Sequence, residues 1–168
     1  MARWFQRILR RISYIAPGGF SLRPALHRLR GVKIGKNVWI SQYVYIDEIH
    51  PEAVSIGDNV SIGIGTLIIA HLYWGPVRSH GSAGPVTIES DVFIGPHCVI
   101  LPGVKIGRGA VVQAGTVISR EVPPGVFIGH QPPTPLAVIT VPLTLGHTYG
   151  EFVGGLRPWR GKDGSREH

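Results

Sequence analysis

The sequence is poor in sulfur and in charge. It holds one cysteine, Cys98, and one methionine in 168 residues. A lone thiol excludes an internal disulfide framework and a multi-cysteine zinc site, and it suits a reducing compartment. Charged side chains make up only 16% of the chain against 43% apolar, a balance that fits buried strands better than solvated helices and argues against disorder. No apolar run reaches the roughly 18 residues of a spanning helix. The basic N-terminal stretch lacks the uninterrupted apolar core and small-residue cleavage site of a signal peptide, so the expected location is the cytoplasm.

Acid is missing altogether before Asp47, whereas Arg3, Arg7, Arg10, Arg11, Arg23, Arg28, Arg30, Lys33 and Lys36 all precede it. The remainder carries eight basic and ten acidic residues, so the net charge of +7 belongs to the leader and not to the body. Such asymmetry points to an anionic partner for the leader. No nucleic-acid reading motif accompanies it, and nucleic acid is not expected as a partner.

A period of six runs through the chain. Ile88, Ile94, Ile100, Ile106, Val112 and Ile118 follow one another at that spacing, and Val92, Cys98, Val104, Ala110 and Thr116 each stand two residues before the next aliphatic. Two residues apart means one face of a strand. The same register holds at Ile34, Ile40 and Ile46, and again at Ile56, Ile62 and Ile68. Turn formers such as Gly57-Asp58-Asn59 and Gly107-Arg108-Gly109 fill the gaps. A helix would need a period near 3.6, so the pattern predicts short strands joined by tight turns.

One hexad cannot bury its aliphatic face alone, but three can close a triangular coil, and coils can stack with their strands about 4.8 Å apart. Four coils are expected, at about 34 to 51, 56 to 73, 88 to 105 and 106 to 123. The pattern breaks at 47 to 55 and at 72 to 87, the second break being an excursion loop rich in Gly, Pro and aromatics. Loops leaving a rigid scaffold are common places for sites.

The ends differ from the repeat. Residues 3 to 15 place Trp4, Phe5, Ile8, Leu9, Ile12 and Ile15 on one helical face and arginines opposite, a short basic amphipathic helix. Its apolar face can pack on the coils or on a neighbouring subunit, or lie on a membrane surface. The expected organisation is a basic helix and linker over 1–30, the repeat over 31–125, and a Pro-rich C-terminal extension over 126–168 whose last run, GKDGSREH, frays.

The string IGDNV at 56 to 60, the segment DVFIGPHCVILPGVKIGRGAVVQAGTVISREVPPG at 91 to 125, and His71 just ahead of the excursion loop resemble the hexapeptide-repeat acyltransferases. Within them the chain looks most like the galactoside, maltose and exopolysaccharide O-acetyltransferase branch, over roughly residues 31 to 130. The resemblance implies an all-β, left-handed parallel β-helix, an exception to the usual right-handed crossover. It also implies a homotrimer with sites between subunits, acetyl-CoA as donor, and a histidine base.

A sugar hydroxyl needs a base with a pKa near 7 to attack a thioester, which suits histidine. The resemblance places that role on His71, at the end of LIIAH. Asp47 and Glu48 stand one coil earlier beside the first break, and of the two Asp47 is the choice for a carboxylate that orients His71 or binds the acceptor. The resemblance implies as donor-binding candidates Phe93 near the thioester arm, Ala114 and Gly115 where the arm approaches the backbone, then Thr116, Ser119 and Arg120. Arg120 and Arg108 are candidates for the CoA phosphates. The family's usual Gly-Asn-Pro-Ala-like closing turn reads GHQPPTPLAVIT here, with His130 as a partial substitute.

No metal is expected. A related trimer, the gamma-class carbonic anhydrase, has two zinc-binding histidines five residues apart, whereas the residue five after His97 is Pro102. His80 is read as a loop histidine and Cys98 as core. The sequence thus points to an O-acetyltransferase acting on a sugar or glycan precursor, with the basic helix at the anionic inner face of a membrane. An N-acyltransferase on an amino sugar or small amine is the nearest alternative, and a non-enzymatic scaffold the next.

Overall fold

The computed structural model describes residues 3–71, 84–131, 134–143 and 146–159. It divides into two compact units, Met1–His130 and Gln131–His168.

The first unit opens with helix α1 (Arg3–Ile15) and a second helix, α2 (Leu22–Leu29), followed by the strands. The first coil comprises β1 (Lys33–Ile34), β2 (Trp39–Ile40) and β3 (Tyr45–Ile46). The second comprises β4 (Val54–Ile56), β5 (Ser61–Ile62) and β6 (Leu67–Ile68), and the third β7 (Val86–Ile88), β8 (Phe93–Ile94) and β9 (Val99–Ile100). The fourth comprises β10 (Lys105–Ile106), β11 (Val111–Val112) and β12 (Val117–Ile118), with β13 (Phe127–Ile128) beyond it. Equivalent strands of successive coils pair in parallel, in the orders β1-β4-β7-β10, β2-β5-β8-β11-β13 and β3-β6-β9-β12. β7 begins at Val86, within the span assigned to the excursion, and β13 lies past residue 125, where the repeat was expected to end.

Strands of two or three residues have no stability alone, so the stack supplies it. The six-residue period is also the stacking register: Ile40 pairs with Ile62, Ile62 with Ile94, Ile94 with Val112 and Val112 with Ile128. Ile46, Ile68 and Ile100 are likewise superposed and fully buried. Each such side chain contributes about 1.5–3 kcal/mol of burial. At the corner between the first two sheets, Asn37, Asn59 and Asp91 adopt left-handed backbone at φ 53°, 56° and 65°, with glycine at 109 and 125 doing the same. Short amide and carboxylate side chains tolerate that conformation. Here they also form a ladder, Asn37 Nδ2 to Asn59 Oδ1 at 3.1 Å and Asn59 Nδ2 to Asp91 Oδ1 at 2.9 Å.

The first coil ends the stack, and its outward carbonyls need partners. Three arginines of the leader supply them, one for each sheet. Arg28 Nε donates to Ile34 O at 3.1 Å, Arg23 Nε to Ile40 O at 2.6 Å, and Arg30 Nη2 to Ile46 O at 2.8 Å. The three carbonyls recur every six residues, matching the coil. Ile40 N–H is capped too, by Gly19 O at 3.0 Å. Part of the basic leader thus closes the β edge. Helix α1 rests on α2 through Leu9, Ala16 and Leu26, and Arg10 pairs with Glu48 at 3.0 Å.

The second unit contains an antiparallel pair, β14 (Ala137–Ile139) with β15 (Leu156–Pro158), and a short helix α3 (Tyr149–Gly154). A capping box between Thr148 and Glu151 starts α3. The terminal run GKDGSREH lies outside the described residues.

Candidate active site

Asp47 follows β3 directly and His71 ends the segment after β6, the strand stacked on β3. The corner where they sit is unlike the other corners, because both coils leave the repeat there. After β3 the chain makes a one-turn 3-10 helix, Pro51–Ala53, before β4. Residues 72–83, including His80, follow His71 and lie outside the described residues. The chain returns at Gly84, whose N–H donates to Ala70 O at 2.6 Å.

The Asp47 carboxylate is completely buried and accepts five hydrogen bonds. Oδ1 takes the backbone N–H groups of Ile49 and His50, both at 2.8 Å, which shapes the first excursion. Oδ2 takes the backbone N–H of Ala70 at 2.6 Å and of His71 at 3.0 Å, tying the first coil to the second. It also takes His71 Nδ1–H at 2.5 Å. Burial works against ionisation of Asp47, but the hydrogen bonds from His50, Ala70, His71 and Ile49 together outweigh it and hold its pKa below the ordinary carboxylate range. An ionised carboxylate has only acceptors, so Nδ1 of His71 carries the proton of this bond. His71 is itself 2% exposed.

Beneath this pair lie two residues absent from the sequence-derived set. Arg30 Nη2 donates to Asp47 O at 2.7 Å as well as to Ile46 O, and Arg30 Nη1 lies 2.9 Å from His27 Nδ1. The signal was present as Arg23, His27 and Arg30, an i, i+4, i+7 set that marks one face of a helix. All three are buried. Polar residues on an inward helix face are the reverse of the usual pattern, so apolar periodicity does not mark them.

The donor-binding candidates divide among several places. Ser119 and Arg120 follow β12, on the same sheet edge as the residues after β6, and both are exposed. Ala114 and Gly115 form the turn entering β12, with Gly115 at φ 74°. A β-carbon on Gly115 would stand 3.7 Å from the His130 ring, so the imidazole lies over this turn. Thr116 is buried and directs its side chain inward, leaving only its backbone for a ligand. Phe93, 49% exposed, stands on the neighbouring sheet between Ser61 and Val111. Arg108 sits at yet another corner, where its Nη1 pairs with Asp91 at 2.7 Å and its N–H donates to Glu89.

Comparison with known proteins agrees with the repeat. Residues 85–120 match the bacterial transferase hexapeptide family, over six repeats. The chain is 44% identical over 101 residues to "Putative acetyltransferase YvoF" of Bacillus subtilis strain 168, covering 60% of this chain and 57% of that protein. It is 39% identical over 101 residues to 2,3,4,5-tetrahydropyridine-2,6-dicarboxylate N-acetyltransferase of Staphylococcus aureus strain Newman, covering 60% and 38%. It therefore spans well under two thirds of the length of these curated relatives. A hexapeptide-repeat-containing acetyltransferase from Vibrio cholerae O1 biovar eltor, complexed with acetyl coenzyme A, superposes with a TM-score of 0.62 at 26% identity. That superposition covers 76% of this chain and 81% of the other.

Proposed function

We propose that the chain transfers an acetyl group from acetyl-CoA to a hydroxyl of a sugar or glycan precursor, with His71 as general base. The observation that carries this reading is the buried His71–Asp47 pair, held at 2.5 Å where both coils leave the repeat. Nε2 of His71 takes the hydroxyl proton as the oxygen attacks the thioester carbonyl. The tetrahedral intermediate then collapses, the C–S bond breaks, and the CoA thiolate leaves with the proton from the imidazolium. Asp47 acts through His71: it fixes the tautomer and stabilises the imidazolium. Backbone N–H groups at a coil corner would meet the developing oxyanion. The named acetyltransferase relatives and the acetyl-CoA complex of the Vibrio cholerae protein support this donor.

For the donor, the exposed edge formed by Ser119 and Arg120 and the small turn Ala114–Gly115 offer the pantetheine arm close backbone approach. Phe93 lies one sheet away. We take the stack to be left-handed and the assembly a homotrimer. Two of its outer faces carry exposed apolar ladders, Trp39, Phe93, Val111 and Phe127 on one and Leu67 and Val117 on the other. A partner's apolar face would cover them.

The deciding experiment incubates purified protein with acetyl-CoA and a panel of nucleotide sugars and lipid-linked glycans, and reads thiol release. Transfer to an acceptor, lost in His71→Ala by about 100-fold or more, is the expected result. Full transfer by a folded His71→Ala variant would overturn the mechanism. The Staphylococcus aureus relative favours a second reading, N-acyl transfer to an amino sugar or small amine. Alkaline lability of the product separates ester from amide. A non-enzymatic scaffold predicts no acetyl-CoA-dependent thermal shift.

The proposed location is the cytoplasm, peripherally at an anionic inner membrane face. Ile8, Ile12 and Ile15 form an exposed stripe on α1, at 46, 45 and 62% accessibility, with Arg11 exposed beside it. No helix among the described residues is long and apolar enough to cross a membrane. Binding to vesicles containing anionic lipid, absent with neutral lipid and lost on deletion of residues 1 to 15 with the assembly intact, supports this placement.

A further inference from the structure

Asp47 is the last residue of the first coil before the chain leaves the repeat, so the peptide that follows it has no place in a sheet. Its own N–H remains in register, donating to Ile68 O at 2.9 Å. Its carbonyl is held instead by Arg30, whose Nη2 bridges Ile46 O at 2.8 Å and Asp47 O at 2.7 Å. One guanidinium nitrogen therefore spans the two carbonyls on either side of the Asp47 α-carbon. The opposite nitrogen, Nη1, is fixed by His27 Nδ1 at 2.9 Å. His27 is neutral at physiological pH, its pKa pushed down to about 3 by burial first and by the charges of Arg30 and Arg23 next. A neutral ring accepting at Nδ1 carries its proton on Nε2.

We propose that Arg30, held by His27, is a positioning residue for the Asp47–His71 pair, so that helix α2 sets the geometry of the base from the closed end of the stack. The inference rests on the functional reading above. Its physical content is rigidity. A single guanidinium nitrogen bonded to two successive carbonyls restricts the Asp47 backbone, and the carboxylate must reach five donors on two coils at once. A displacement of about 1 Å in such a site lowers a rate about 100-fold. Arg30 has no route to a substrate, being buried behind the pair, and acts only through Asp47.

The test compares Arg30→Met, Arg30→Lys, Asp47→Asn and the double variant Arg30→Met with Asp47→Asn in the full chain. The first readout is the nitrogen and proton NMR signature of the His71 imidazole, whose Nδ1–H proton is downfield when bonded to a carboxylate. We expect that signal in the wild type and its loss or marked upfield shift in folded Arg30→Met. Arg30→Lys, which keeps a charged donor for the carbonyls, restores part of it. The second readout is kcat and the KM for acetyl-CoA. The expected fall in kcat is about 10- to 100-fold with KM within twofold, and the double variant is no slower than Asp47→Asn alone. A folded Arg30→Met with the wild-type imidazole signal, or a double variant whose losses multiply, would overturn the proposal. If Arg30→Met does not fold, Arg30→Lys and His27→Gln give the same reading. Wild-type protein inactive with every acceptor counts against the functional reading alone, since the imidazole signal still reports the positioning.

Discussion

Oδ2 of Asp47 accepts Nδ1–H of His71 at 2.5 Å and, through the backbone N–H groups of Ala70 and His71, stitches the first coil to the second. The carboxylate that would orient the base is thus also a structural bolt. Any substitution there alters both roles.

Replacing Asp47 with asparagine or alanine separates those roles. Asparagine keeps one acceptor oxygen, so it should retain the bonds to Ile49 and His50 or those to the second coil, but not both. We expect about 2–4 kcal/mol of destabilisation and a 10- to 1,000-fold slower acyl transfer. Alanine leaves all five donors unmatched and should be markedly less stable than asparagine. Urea denaturation followed by kinetics on the folded fraction checks both. An Asp47→Asn variant with wild-type stability would show that the five-bond arrangement does not matter to the fold.

Acid should unfold the chain through His27. Its folded pKa, about 3, lies below its unfolded value of about 6.5. The unfolded state therefore binds more protons between these limits, and stability falls as the pH is lowered through that window. The slope approaches about 1.4 kcal/mol per pH unit for a single group. Asp47 adds to the loss at the lower end, because a carboxylate with a depressed pKa stabilises only above its unfolded value and its contribution disappears as pH falls through the folded one. Denaturation midpoints of wild type and His27→Gln, measured between pH 7 and roughly 4, should converge as the pH drops. Parallel curves would exclude this histidine.

The edge-capping arginines should differ in worth according to burial. Arg23 is buried, donates to Ile40 O and also to Ala16 O at 2.5 Å, and lies 5.8 Å from the Trp39 ring centre. Removing it strands two carbonyls and a packed stem, about 2–4 kcal/mol. Arg28 makes two carbonyl bonds from an exposed position, where water can replace it, and its loss should cost under about 1 kcal/mol. Equal destabilisation by Arg23→Ala and Arg28→Ala in chemical denaturation would contradict the account.

Nine basic residues before the first acid pointed to an anionic partner for the leader, and within the fold Arg23, Arg28 and Arg30 each serve a carbonyl of the first coil while Arg10 serves Glu48. Charge counted along a sequence carries no information on which cations face water. Helix α1 was legible because its apolar and basic faces separate at helical spacing. Helix α2 was not, because its inward face is polar and its partners are backbone atoms that no residue type announces.

The sequence by itself determined the stack. A six-residue aliphatic period admits few solutions, and superposition of Ile40, Ile62, Ile94 and Val112 follows from it because apolar side chains must be buried together. It also located the two breaks, pointed by resemblance to His71, and singled out Asp47 by its place beside the first break. Only the tertiary structure decided that these two residues, 24 apart in the chain, form a hydrogen-bonded pair, that Arg108 belongs with Asp91, and that Arg30 stands behind Asp47. Periodic burial is written in residue types and is readable locally. Hydrogen bonds between a side chain and a distant carbonyl depend on the path of the backbone, which exists only once the coils are closed.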